Sequence, residues 1–343
     1  MKKIIILDKQ AEGSSVTVQM SLILLVSLVL FLAGAQSTHA QKYSAWSTPA
    51  NLGAAINSAF SDQGPAISKD GLSLYFSSNR PGGFGGFDMY VSQRMSVDEP
   101  WDSPLQLGPT VNTAFDEGNP AFSRDGHFLF FQSRRPGGIG GIDLWVAYRE
   151  HTHDDFDWQP PVNLGAGVNS IADDNAPSYL ENEELGIAQL YFASSRAGGL
   201  GGLDIYLSNQ MPDRSFGPAS LVSDLSTPSA DSRPSIRHDG LEIIFQSNRP
   251  GALSAAFDLW VATRASALDG WSIPVTLGTT INTTSIENNV NLSSDGRTLF
   301  FSSDRPGGFG DLDLYVSTRT KLRGQSGKSA TTIYRFKTSP VHY

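Results

Sequence analysis

The sequence predicts an all-β fold, a five-bladed β-propeller closed by its own N-terminal strand. Three observations carry this: a block repeated five times, turn chemistry that reads as strand connections, and complementary fragments of the repeat at the two ends. The block FSSNRPGGFGGFDMYVS begins at Phe76, and its counterparts begin at Phe131, Phe192, Phe245 and Phe301. The equivalent arginines, Arg80, Arg135, Arg196, Arg249 and Arg305, are spaced 55, 61, 53 and 56 residues apart. A period of that length is one supersecondary unit that buries its apolar faces only against its neighbours.

Within each unit a short segment with Pro (Val290 in the fifth copy) opens the repeat, and in four of the five it leads to Asp-Gly: Asp70-Gly71, Asp125-Gly126, Asp239-Gly240 and Asp295-Gly296. Asp-Gly between apolar runs is a hairpin turn, because glycine takes positive φ without a Cβ clash. A second apolar strand follows (SLYFSS, HFLFFQS), then a Gly-rich turn, then a third strand (FDMYVS, IDLWVA). The fourth segment opens on an aromatic: Trp46, Trp101, Trp158, Phe216 or Trp271. Four short strands in radial repetition make a propeller blade. Trp46–Gly53 is a fourth strand without its first three, and Glu287–Ser317 supplies three without a fourth. Joining them closes a disc over 44–319 and leaves no edge unpaired.

Composition sets the remaining limits. The chain of 343 residues has no cysteine, which excludes disulfides, thiolate metal sites and thiol nucleophiles. Residues 41–319 carry 17 basic and 32 acidic residues, a net of −15, so nucleic acid is not an expected partner. Lys2, Lys3 and Lys9 precede the apolar run Ser21–Ala35 and the small-residue site Thr38-His39-Ala40. That pattern reads as a cleaved signal peptide over 1–40 and a periplasmic or secreted protein, with membrane contact only through the signal. Residues 320–343 form a basic tail with five Lys and Arg and no acid. A monomer is expected.

The pattern PxxSxDGxxLYFxSxRPGG…DLYVS resembles the WD-like repeat of the TolB-type β-propellers. The likeness covers nearly the whole chain after the signal and recurs five times. TolB itself adds an α/β domain and a sixth blade, and neither fits here. The resemblance implies an exported propeller that binds a partner, and fold alone does not name that partner.

Three groups of residues are candidates for chemistry. Asp62, Glu117, Asp174, Asp231 and Glu287 lie three residues before the first-strand Pro or Val and should ring one mouth of the central channel. Such a ring either binds a cation, sugar or amine, or pairs with the five arginines named above, which end the second strands on the same face. His151, His153 and Asp155, in HTHDDFD, present ligand types for a divalent cation in an exposed loop. An insertion in the third repeat adds Glu181, Glu183 and Glu184 on the same, opposite face. No other cofactor is expected.

The glycine turn lacks the strand-to-helix setting of a dinucleotide site and the nine-residue period of a calcium repeat, so its role is architectural. Its Asp (Asp88, Asp143, Asp204, Asp258, Asp313) caps the turn. No GxSxG or HExxH is present. The favoured expectation is a non-catalytic scaffold that binds an envelope protein. The alternative is a carbohydrate-binding or glycoside-hydrolysing propeller, with a glycan as partner.

Overall fold

The computed structural model describes residues 43–322; the segment 1–40, expected to be a signal peptide, and the tail from 323 lie outside the described residues. Among the described residues, twenty strands form five four-stranded antiparallel sheets, the five blades of a propeller. In four of them the strands follow chain order from the axis outward. The fifth is built from both ends of the chain. Strands β18 (Glu287–Leu292), β19 (Thr298–Ser303) and β20 (Asp313–Thr318) are completed by β1 (Ala50–Asn51). The register pairs Ala50 with Val316 and Asn51 with Tyr315, and a bridge from Tyr43 to Lys321 extends the seam.

The second strands explain why the disc is rigid. Leu74, Tyr75 and Phe76 are all fully buried although they point alternately to opposite faces of their sheet. Both faces meet another blade, so the strand reads as an unbroken apolar run. The core is therefore five layers, one per interface: Tyr75 and Met89 meet Phe131 and Trp145, for example, and Phe300 and Leu314 meet Leu74 and Phe76. Phe76, Phe131, Phe192, Phe245 and Phe301 are each 0% exposed, and truncating any to alanine costs about 3–5 kcal/mol.

The Gly-rich turns lie against the next blade. A Cβ on Gly85 would stand 1.9 Å from the carbonyl oxygen of Phe115, and one on Gly310 would stand 2.0 Å from that of Phe60. Each turn's Asp accepts its backbone N–H groups: Asp204 takes those of Leu200 (2.8 Å) and Gly201 (3.0 Å).

The outer aromatics are held in a second repeated device. Arg94, Arg149, Arg264 and Arg319 lie over Trp101, Trp158, Trp271 and Trp46 at 4.2–4.5 Å. Their Nε atoms donate to the carbonyls of the Asp-Gly glycines, such as Gly71 at 2.8 Å. The third blade has Gln210 and Phe216 instead, joined by a backbone bridge.

Candidate functional site

The five acids open the innermost strands, and all are 0% exposed. Each faces the arginine of its own blade: Asp62–Arg80, Asp174–Arg196 and Asp231–Arg249 at 2.6 Å, Glu287–Arg305 at 2.9 Å, Glu117–Arg135 at 3.4 Å. A Ser or Thr four residues earlier donates both its N–H and its hydroxyl to each carboxylate, as Thr227 does to Asp231 at 2.6 Å. Each guanidinium also lies between two ring faces of its blade, Phe76 and Tyr90 in the case of Arg80. Burial outweighs these partners at Glu117 and Glu287 and holds both carboxyls above the usual range. Of the two alternatives for these acids, pairing with the five arginines describes the geometry, and an open acidic ring does not. The carboxylates are covered by the incoming Ser/Thr segments and lock the blades together.

The proposed divalent-cation ligands are not brought together either. Asp155 turns inward, 3% exposed, where it accepts from Arg149 (2.8 Å), Tyr75 Oη (2.9 Å), Ser73 Oγ (2.5 Å) and Gln93 (2.8 Å). The reason is electrostatic: Arg149 is 3% exposed and takes Asp155 as its counter-charge. His151 pairs with Asp157 at 2.8 Å on the surface, and that carboxylate holds its imidazole above the ordinary histidine range. Among the described residues no group of three His, Asp or Glu has the geometry of a metal site.

What the sequence reading missed lies on the axis. Two residues after each acid the chain makes a bulge at positive φ: Gly64, Asn119, Ala176, Arg233 and Asn289, with φ between 50° and 63°. These residues form the waist of the channel. Five residues further on, at the end of the innermost strands, stand Lys69, Arg124, Glu181, His238 and Ser294. They rim a cavity of about 100 Å³ on the Asp-Gly face, with Ile67, Phe122, Tyr179 and Ile236 also in its lining. Tyr179 stacks on Phe130 at 4.7 Å, and burial with Glu181 nearby pushes its phenol up to about 12. Burial likewise raises the Glu181 carboxyl.

The third-repeat insertion extends this mouth outward. It lengthens β10 (Asp174–Asn182) and β11 (Ile187–Ser194), and Arg124 of the second blade bonds Glu183. Beyond Tyr179 and Glu181 an open groove of about 640 Å³ continues to Ile187, Gln210 and Met211. It runs over the blade whose Arg–Trp stack is missing. The signal for this site was present in the repeats: where framework positions agree five times, rim positions disagree five times.

No family model and no curated protein matches this chain. Among solved structures it is similar to an α-L-arabinofuranosidase from Lactobacillus brevis, with TM-score 0.55 and 12% identity, over 77% of this chain and 92% of that one. An arabinanase from Bacillus subtilis is similar with TM-score 0.51 and 14% identity, over 78% and 96%. A TolB-like protein from Agrobacterium tumefaciens gives TM-score 0.47 and 15% identity, over 80% and 85%. At these identities the likeness is one of fold alone; the count of five blades is read from the sheets themselves.

Proposed function

We propose that this chain is an exported, carbohydrate-binding propeller that holds a glycan at its Asp-Gly face without cleaving it. The observation that carries the reading is the rim of five unlike side chains, Lys69, Arg124, Glu181, His238 and Ser294, around one mouth with apolar and aromatic walls. Sugars present apolar ring faces and hydroxyls together, and such a mouth offers both surfaces. The propellers named above, an arabinofuranosidase and an arabinanase, act on glycans and support the same ligand class. Glycoside cleavage takes two carboxylates, roughly 5–9.5 Å apart. The lining of this mouth contributes one carboxylate, Glu181; Glu183, in the groove beyond it, is bonded to Arg124, and the ring acids are held by arginines.

Calorimetric titration with arabino- and xylo-oligosaccharides, beside a reducing-sugar assay, tests this. Binding without turnover is expected, with Glu181→Gln and His238→Ala each weakening it about tenfold. Turnover abolished by Glu181→Gln would make the chain a hydrolase. A second reading, a protein-binding scaffold, is favoured by the tips of the Gly turns: Phe84, Ile139, Leu200, Leu253 and Phe309 are each 42–51% exposed around the opposite face. Absence of any glycan binding, with recovery of one envelope protein that Phe84→Ser and Phe309→Ser release, would favour that reading.

A further inference from the structure

One charged residue stands at the waist of the channel. Arg233 Nη1 donates to Asn119 Oδ1 at 2.6 Å and also to Asn289 Oδ1, so the fourth blade is tied across the axis to the second and fifth. The space for this is prepared: a Cβ on Gly64 would stand 2.7 Å from Asn119 Oδ1. Arg233 adopts φ 54°, a conformation that costs an L-residue about 1–2 kcal/mol. Its Nε and Nη2 have no protein acceptor among the described residues, neither atom is fully buried, and the residue lines a cavity on the axis. No carboxylate acts on the guanidinium, and burial alone lowers its pKa to about 10. A largely desolvated cation with only neutral amide oxygens as partners costs more than its two cross-axis hydrogen bonds need to, since a neutral amide could make them.

The adjoining cavity measures about 220 Å³, and Gln63 and Gln132 contribute amides to its lining. Its other charged groups offset one another. Asp116 lies 3.6 Å from Arg134, and Glu117 is neutralised by Arg135. Arg233 therefore supplies the unmatched charge.

We propose that Arg233 is a carboxylate-binding site on the disc axis, with its Nε–Nη2 edge taking the two oxygens of a uronic acid sugar. With Nη1 fixed by Asn119 and Asn289, that edge is pre-oriented, and a planar fork matched to a planar carboxylate is the geometry that favours arginine over lysine. The carboxylate part stands by itself, and the sugar part rests on the glycan reading given above.

Titration of the full chain with glucuronate, galacturonate, acetate, glucose and galactose at constant ionic strength tests both parts. The expected result is that the uronates bind, the neutral sugars do not, and acetate binds more weakly. Arg233→Gln should then lose about tenfold or more, and Arg233→Lys should fall between. Arg233→Gln should melt no lower than the native chain without ligand, because it removes an uncompensated cation. Acetate binding as tightly as the uronates would keep the carboxylate site and remove the sugar. Equal binding by the native chain and Arg233→Gln, or no carboxylate binding with a lowered melting point in Arg233→Gln, would overturn the site and leave Arg233 a cross-brace. Neutral oligosaccharide binding that Glu181→Gln weakens and Arg233→Gln does not would show the glycan reading surviving that failure.

Discussion

Arg249 donates through both Nε (3.1 Å) and Nη2 (2.6 Å) to one carboxylate oxygen of Asp231, while the other oxygen accepts the N–H of Thr227. Nη2 also reaches the carbonyl of Leu225 at 2.7 Å. One guanidinium thus fastens the end of the second strand to the segment arriving from the preceding blade. Arg249→Ala should destabilise the disc by about 3–5 kcal/mol in urea, because it leaves a buried carboxylate unpaired. Adding Asp231→Asn to it should cost less than the two single changes summed, since they share one network.

Closure rests on hydrogen bonds spread along residues 44–57 and 313–320. Besides β1, Ser47 N donates to Thr318 O (2.8 Å), and Ser317 Oγ donates to Ser47 O (2.6 Å). Removing residues 43–53 exposes the edge of β20 and uncovers Leu314 and Phe300. A melting point lowered by several degrees is expected by calorimetry, and an unchanged one would mean that the seam contributes nothing.

Gly85 tests the packing of the turns. Gly85→Ala forces a methyl group into the Phe115 carbonyl, and a loss of roughly 1–3 kcal/mol is expected. Gly53→Ala is the control for backbone strain: it has φ 79° and no atom within 4 Å of the added methyl.

Tyr179 sets an alkaline limit. Its phenol titrates near 10 in the unfolded chain and at about 12 in the fold. Between these values the folded chain keeps a proton that the unfolded chain has released, so stability falls as pH rises through that window. Tyr179→Phe should flatten this part of the fall in chemical denaturation. A slope should remain, because the Tyr75 phenol is also raised well above its ordinary value by burial.

The framework was legible because each of its parts repeats. Five arginines, five acids and five Gly turns carry the blade count and the pairing alternative, and the complementary end fragments carry closure. Location within the blade was harder. The acids begin the innermost strands, yet spacing does not report that Ser58, Thr113 and their counterparts fold over them. Asp155 looked like part of an exposed loop because its partner Arg149 was not visible as a buried cation. Arg94 and Arg264 stand seven residues before Trp101 and Trp271, but Arg149 stands nine before Trp158 and Arg319 meets Trp46 from the far end of the chain, so spacing does not reveal one shared device. The waist and rim escaped because a search for repetition discards the positions where copies differ.

The bridge between Tyr43 and Lys321 sets the two described ends of the chain side by side, so the disc has no architectural starting point. A circular permutant with those ends linked and the backbone opened at Asp125-Gly126 would keep every blade, moving only the place where the circle is interrupted. Stability in that permutant would belong to the ring as a whole, and the order in which ribosomes deliver its parts would become a free choice.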